Sequence, residues 1–228
     1  MIIPAFNEAE ILPGTLRKVS SFLESMDFKA EVIVVDNGST DQTSDVIHSF
    51  QEQCSDIHYM RVDTAGKGGA VRAGIMAARG EYLLISDADL AVPIEYTIRF
   101  LPPGLKDFDI AIGSREADGA IRYGEPFKRH LMGRAFNFMV RVLLLPGFQD
   151  TQCGFKCFRR EVARELFALS RVDGWGFDVE ILYRGRLKGY RIIEVPVEWH
   201  YGEGSKIRPV WDSLAMFREL LSIRRRGK

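Results

Sequence analysis

Short apolar runs alternate with longer amphipathic segments along the first half of the chain. Runs of strand length lie at residues 2–3, 32–35, 57–62, 82–85 and 108–112, and apolar positions at helical spacing cover residues 12–26 and 41–53. The run at 32–35 contains only valine and isoleucine, which is typical of a strand buried on both faces. The alternation of strands and helices predicts a single Rossmann-like α/β domain with a mostly parallel central sheet.

The segment at residues 126–145 predicts a helix that is too apolar for an ordinary surface position. Its polar residues form one narrow stripe, which consists of His130, Arg134, Asn137 and Arg141. Either the protein core or a membrane interface could cover the broad apolar face, and the sequence leaves both possibilities open.

The C-terminal segment predicts a second amphipathic helix, which starts near residue 209. It ends in Arg224-Arg225-Arg226, and although a helix C-terminus favours cations, three in a row also suit an anionic surface. We therefore expect a domain of residues 1–205, which contains the helix near 126–145, and a basic amphipathic helix within 206–228 that packs on or beside it.

Charge is balanced overall but unevenly distributed. The 228 residues include 31 Lys or Arg and 31 Asp or Glu, so the net charge gives no reason to expect nucleic acid as a partner. Basic residues outnumber acidic ones five to one between residues 121 and 147, and seven to two between residues 206 and 228. This excess favours an anionic ligand or a membrane surface. No window reaches the ~18 to 20 apolar residues that span a bilayer, so any membrane contact is expected to be peripheral.

Cysteine usage points to a reducing compartment. There are three cysteines, an odd number without a secretory signal, and we interpret all of them as structural. The chain opens on Met1-Ile2-Ile3-Pro4, which leaves so short a first strand that a truncated or misassigned start is one explanation.

Two carboxylates follow the apolar run at residues 82–85. In Asp87-Ala88-Asp89 one residue separates them, so the alternation of side chains places both on one side where the strand ends. Carboxylate oxygens suit Mg²⁺ or Mn²⁺, and such a metal would bridge a diphosphate. The tripeptide alone is weak evidence, because it also occurs as a simple cap of a following helix.

Two other motifs follow earlier strands in the same manner. They are Pro4-Ala5-Phe6-Asn7-Glu8 and Asp36-Asn37-Gly38-Ser39-Thr40-Asp41. Taken alone, the second predicts a tight turn in which Ser39 and Gln42 have the spacing of a helix capping box. In order and spacing, the three motifs together resemble family 2 glycosyltransferases, which implies a nucleotide-diphosphosugar transferase (GT-A) fold over about the first 115 residues.

Later segments resemble one branch of that family, the polyprenyl-phosphate sugar transferases, and within it the group of dolichyl-phosphate β-glucosyltransferases. These segments are residues 66–72, 113–115, 150–156, 177–180 and 204–206. The resemblance implies an inverting, metal-dependent hexosyltransferase that moves glucose from UDP-glucose to a polyprenyl (dolichyl-type) phosphate on the cytoplasmic membrane face. Another nucleotide sugar, a saccharide acceptor, a nucleotidyltransferase and a noncatalytic binding module remain as alternatives.

The resemblance also implies roles for individual residues. The metal, Mg²⁺ or Mn²⁺, would be held by Asp87 and Asp89, and Arg115 and Arg129 would bind the acceptor phosphate, with Arg122 or Arg134 as alternatives to Arg129. The expected catalytic residues are Asp89, Arg115 and Asp150. The expected nucleotide-sugar site contains Pro4, Phe6, Glu8, Asp36, Lys67, Asp87, Ala88 and Lys206.

The chemical demand on the site depends on the acceptor. A phosphate has its second pKa near ~6, so it is already a dianionic nucleophile at neutral pH and needs no strong general base. A sugar hydroxyl would need a positioned carboxylate, and Asp150, Asp178 and Glu180 are the candidates for that role or for bonds to the hexose. Alternatively, these three side chains only cap and pair locally. Ala91 stands where mannosyl members of the branch have a glutamine, which argues against that subgroup and leaves the metal ligands incomplete.

Overall fold

A computed structural model describes residues 1–63, 66–202 and 209–226, and for residues 209–215 it describes the backbone only. The strands are β1 (Ile2–Ala5), β2 (Val32–Asp36), β3 (Ile57–Arg61), β4 (Tyr82–Ile85), β5 (Ile110–Ser114), β6 (Ile121–Tyr123), β7 (Lys156–Arg159), β8 (Ile192–Pro196) and β9 (Glu198–His200). The helices are α1 (Leu12–Glu24), α2 (Thr43–Gln53), α3 (Lys67–Ala77), α4 (Thr97–Phe100), α5 (Phe127–Leu143), α6 (Arg160–Ala168), α7 (Phe177–Leu187) and α8 (Pro209–Arg226).

Seven strands form one sheet in the order β3-β2-β1-β4-β7-β5-β8. Neighbouring strands are parallel except at β7, which runs antiparallel to both β4 and β5. The mostly parallel α/β architecture is therefore confirmed, and the ends of the five predicted strands, β1 to β5, lie within two residues of their predicted positions. Strands β6, β7, β8 and β9 were not predicted. A separate pair, β6 and β9, is also parallel.

The sheet is buried on both faces, as the continuous apolar run in β2 predicted. Ile33 and Val35 belong to one apolar cluster with residues of α3, α6 and α7, whereas Val32 and Val34 belong to another cluster with residues of α1 and α2. Side chains alternate between the two faces of a strand, so helices on both sides supply the cover. Ligand-binding loops are then confined to the carboxyl ends of the parallel strands.

Helix α5 is only partly covered by the core. Phe136 and Val140 are buried, but Phe127, Phe138 and Val142 are more than 60% exposed. Core packing therefore covers only one side of this helix within the described residues. No helix in the described part of the chain is long and apolar enough to cross a bilayer.

Helix α8 packs against the domain through an apolar stripe. Met216, Leu220 and Ile223 are buried in the same cluster that contains residues of α5 and α7. Residues 203–208 lie outside the described residues, so the proposed division of the chain at residue 205 stays a prediction.

Candidate active site

A tight turn after β4 holds the Asp87-Ala88-Asp89 segment. The backbone N–H of Leu90 donates to the carbonyl of Asp87 (3.1 Å), and the N–H of Ala91 donates to Oδ1 of Asp89 (3.0 Å). On the other side, the hydroxyl of Thr15 donates to the carbonyl of Ala88 at 2.5 Å. These bonds fix the backbone from which both carboxylates project.

Asp87 is bound by Lys67, the first residue of α3. The ammonium group contacts Oδ1 of Asp87 and lies 5.4 Å from the ring centroid of Trp175. Gly66 has a φ of +95°, which lets the chain turn sharply into the helix just before Lys67. Burial raises the pKa of Asp87, but the charges of Lys67, Lys156 and Arg115 and the hydrogen bond from Lys67 together outweigh it, so the pKa is lowered overall.

A second ion pair lies behind the first. Lys156 on β7 is 2% exposed, and its Nζ lies 2.7 Å from Oδ1 of Asp178 at the start of α7. The charge of Lys156 also helps to lower the pKa of Asp87. Lys156 was not among the predicted site residues. Its apolar neighbours in the sequence, Phe155 and Cys157-Phe158, were nevertheless a signal that this lysine is buried and paired with an anion.

Asp89 differs from Asp87 because it makes no ion pair within the described residues. The surrounding protein reduces its hydration, and the charge of Asp87 repels its own, so its pKa is raised. Two neighbouring carboxylates, one of them destabilised as an anion, form a suitable place for a divalent cation.

The described residues contain no group of three or more His, Cys, Asp or Glu side chains that could hold a metal. A metal at Asp87 and Asp89 would thus need other oxygen ligands. Mg²⁺ commonly binds through one or two carboxylates together with water and substrate phosphates. The two aspartates therefore fit a metal that is shared with a diphosphate.

Asp36 organises the loop at the end of β2. It is fully buried, and its carboxylate accepts hydrogen bonds from the N–H of Ser39 (2.8 Å) and the hydroxyl of Tyr59 (3.0 Å). Arg61 lies 3.5 Å from the same carboxylate. These contacts hold the turn, whereas a bond from Asp36 to a base or ribose stays a prediction.

The predicted capping box of Ser39 and Gln42 is wrong. Helix α2 begins at Thr43 without a side-chain cap from Gln42, and the Ser39 hydroxyl instead accepts the N–H of Asn7 at 2.9 Å. The loops after β1 and β2 are joined in this way. The segment after β1 also carries Phe6, whose side chain is 47% exposed beside these loops.

The remaining predicted nucleotide-site residues lie at the same edge of the sheet. Pro4 is part of β1, and the N–H of Glu8 donates to the hydroxyl of Thr43 at 2.8 Å. Ala88 is buried between the two aspartates. Lys206 lies outside the described residues.

Arg115 and Asp150 form the most tightly bonded pair in the site. Nε and Nη2 of Arg115 donate to the two carboxylate oxygens at 2.6 and 3.0 Å, and the backbone N–H of Arg115 adds a third bond at 3.0 Å. Burial raises the pKa of Asp150, but Arg115 outweighs this effect and holds it far below its usual value. The guanidinium also lies 5.4 Å from the ring centroid of Trp199. Within the described residues, Nη1 of Arg115 donates no hydrogen bond.

The other candidate arginines differ in how fully they are engaged. Arg122 is clamped by two glutamates at 2.6 and 2.7 Å, so its charge is already balanced. Arg129 lies 5.1 Å from the ring centroid of Tyr201 and makes no ion pair among the described residues. Arg134 is exposed on α5. Arg129 therefore remains the best second arginine for an anionic ligand.

The carboxylates considered as bases are all engaged. Asp150 and Asp178 are held by Arg115 and Lys156, respectively. Glu180 accepts bonds from the backbone of residues 171 and 172 and from the side chains of Ser170 and Arg184. Glu180 thus caps and pairs locally, which was the alternative to a role in catalysis or in binding the hexose.

Comparison with known proteins shows the family of the chain. Residues 1–167 match the family described as glycosyl transferase family 2. The chain is 40% identical to human dolichyl-phosphate β-glucosyltransferase (99% of this chain, 74% of the relative) and 38% identical to that of Drosophila melanogaster (98% and 73%). Glucosyl-3-phosphoglycerate synthase from Mycobacterium tuberculosis, solved with UDP, has a similar fold, with a TM-score of 0.70 at 21% identity (98% of this chain, 78% of that chain). The chain therefore belongs to glycosyl transferase family 2.

Proposed function

We propose that this protein transfers glucose from UDP-glucose to the phosphate of a polyprenyl, dolichyl-type lipid, with inversion at the anomeric carbon. The names of its relatives at 38–40% identity support the sugar and the acceptor class. The observation that carries the proposal is the fixed guanidinium of Arg115, whose charge acts on Asp87 while one of its nitrogens stays available. An acceptor phosphate bound there would face the donor diphosphate.

On the donor side, Asp87 and Asp89 would hold Mg²⁺ or Mn²⁺. The metal would act as a Lewis acid that neutralises the negative charge growing on the departing diphosphate. Lys67 would supply a second positive charge beside it, and we assign the same role to Lys206. A related fold is known with Mn²⁺ and UDP-glucose in the mycobacterial glucosyl-3-phosphoglycerate synthase.

On the acceptor side, the engaged carboxylates favour a phosphate over a sugar hydroxyl. Asp150, Asp178 and Glu180 each pair with a cation, so none of them is a free general base. A phosphate dianion needs none. Its oxygen would bond to C1 of glucose as the bond from C1 to the β-phosphate oxygen breaks and UDP departs.

The lipid chain of such an acceptor requires an apolar surface next to the site. Helix α5 exposes Phe127, Leu131, Phe138 and Val142, and exposed Arg134 and Arg141 lie on the same helix. Apolar side chains flanked by basic residues suit a helix that lies in the interface of an anionic membrane. We therefore propose peripheral binding to the cytoplasmic membrane face through α5.

The proposed reaction predicts a lipid-linked product. With Mn²⁺, radiolabelled UDP-glucose and polyprenyl phosphate, we expect label in the organic extract and an equal amount of released UDP, with both lost on chelation. Pyrophosphate as the product would instead identify a nucleotidyltransferase, and label in a water-soluble saccharide would identify another acceptor. Donor binding without any turnover would contradict the proposal as a whole.

Arg129→Ala tests whether a phosphate is bound on the acceptor side. A charge-assisted hydrogen bond contributes about 1.5–3 kcal/mol, so we expect the acceptor KM to rise about tenfold or more while the KM for UDP-glucose is unchanged. Arg79→Ala is the control, because that side chain is 80% exposed and lies beyond the C-terminal end of α3, opposite the end that carries Lys67. Equal acceptor kinetics in the two variants would contradict the role of Arg129.

Gly154→Ala tests whether Asp87 binds the metal. An added Cβ at Gly154 would overlap the Asp87 carboxylate, which must then move. We expect Mn²⁺ affinity in the presence of UDP, measured by calorimetry, to fall about 10- to 100-fold. Gly133→Ala serves as the control, because its added Cβ meets nothing within 4 Å. Wild-type affinity in Gly154→Ala would argue against Asp87 as a ligand.

Replacing Phe127 and Phe138 with serine tests membrane binding by α5. Burial of one phenylalanine side chain contributes roughly 1.5–3 kcal/mol, so flotation with anionic vesicles is expected to fall at least tenfold in the double variant. Phe28→Ser, which alters a phenylalanine that is 40% exposed outside α5, is the control. Flotation that is equally strong in both variants would exclude α5 as the contact.

A further inference from the structure

Two consecutive residues, Gln149 and Asp150, are held by a single carboxylate from a distant strand. Glu194 lies on β8, and its Oε2 accepts the backbone N–H of Gln149 at 2.9 Å while its Oε1 accepts that of Asp150 at 2.8 Å. The amide of Asn137 on α5 donates to the carbonyl of Gln149. The backbone of this segment is thus held both by β8 and by α5, independently of the contacts of its own side chains.

The fastened segment is the one that orients Arg115. Asp150 is 2% exposed and bonds the guanidinium through both carboxylate oxygens. Strand β8 pairs with β5, with Glu194 in register with Ile112, and Arg115 follows the end of β5. The sheet register therefore sets the distance between Glu194 and Arg115. The backbone of Gln149 and Asp150, which Glu194 holds, sets the direction of the Asp150 carboxylate.

A carboxylate is the side chain that this arrangement needs. Two peptide N–H groups point at two oxygens of one side chain, and a glutamine would present an NH₂ donor to one of them. Glu194 makes no ion pair among the described residues, so these two peptide bonds provide the partners for its oxygens. No bond of Glu194 to Arg115 is present, so any effect on that arginine must pass through the backbone of Asp150.

We propose that Glu194 is a positioning residue for the acceptor phosphate, because it fixes the Asp150 carboxylate that aims Arg115. The part of this inference that concerns the acceptor phosphate rests on the proposed function. The link from Glu194 through Asp150 to Arg115 does not depend on it. Glu194 touches neither substrate, and its influence lies in the orientation of the guanidinium.

The test compares Glu194→Ala and Glu194→Gln with wild type in two readouts. The first is acceptor and donor kinetics with polyprenyl phosphate and UDP-glucose. We expect the acceptor KM to rise about tenfold in Glu194→Ala and less in Glu194→Gln, which keeps one acceptor, with the donor KM unchanged. The second is hydrogen exchange of the Arg115 Nε–H in protein labelled with ¹⁵N-arginine, which we expect to accelerate in the same order.

Glu165→Ala is the matched control. Its carboxylate also bonds residues near β8, namely Lys188 and Tyr190, but none of these contacts the Gln149-Asp150 segment. We expect Glu165→Ala to change neither readout. Should Glu194→Ala fail to fold, the near-isosteric Glu194→Gln decides the question.

The two proposals fail separately. An acceptor KM that is unchanged in a folded Glu194 variant overturns the positioning role even if the transfer reaction is confirmed. If wild type makes no lipid-linked product, the proposed function falls, and the exchange of the Arg115 Nε–H alone decides whether Glu194 controls that side chain. Unchanged exchange in both variants overturns the inference.

Discussion

Charges that are withdrawn from water at the carboxyl edge of the sheet must be neutralised, and this requirement determines the geometry of the site. Lys67 meets Asp87, Lys156 meets Asp178, and Arg115 meets Asp150. Each pair joins two different elements, so the charges also fasten those elements together. Removing one partner of a buried pair typically costs about 3–5 kcal/mol, because the other charge stays behind. Asp89 is exposed and pairs with no cation of the described chain.

The antiparallel strand β7 allows this pairing. It enters the sheet between β4 and β5. Asp87 lies two residues beyond the end of β4, and Arg115 directly follows the end of β5. The strand therefore brings Lys156 behind Asp87, and the loop before it brings Gly154 against the Asp87 carboxylate. Since Asp150 lies in the same loop, one short insertion supplies a partner to both the donor side and the acceptor side.

The sequence predicted those parts of the molecule that depend on local patterns. Strand runs such as residues 32–35 and the Asp87-Ala88-Asp89 turn carry their information within a few residues, and their positions agreed with the structure. The strand Lys156–Arg159 was missed because two of its four residues are charged, which hides the apolar alternation. The contacts of Glu194 and Tyr59 were missed because their partners lie far away in sequence, and only the sheet register joins them.

Among the described residues, each of the two amphipathic helices makes a polar contact with a loop of the site. On α5, Asn137 bonds the carbonyl of Gln149, next to the residue that holds Arg115. On α8, Glu219 accepts the N–H of Gly176 at 2.9 Å, next to Trp175, whose ring faces the ammonium of Lys67. The buried stripe of α8 and the buried side of α5 pack in one apolar cluster, so the helices form a common support.

A shift of either helix would change these contacts before it changed the sheet. The peptide groups of Gln149 and Gly176 lie in loops, which yield more readily than a strand that is hydrogen-bonded on both edges. The side chains next to them, Asp150 and Trp175, contact Arg115 and Lys67, respectively, two of the cations whose charges lower the pKa of Asp87. The exposed apolar surface of α5 and Arg115, to which we assign the acceptor phosphate, are therefore joined through a single loop. A helix seated at a lipid interface would hold that arginine close to the headgroups.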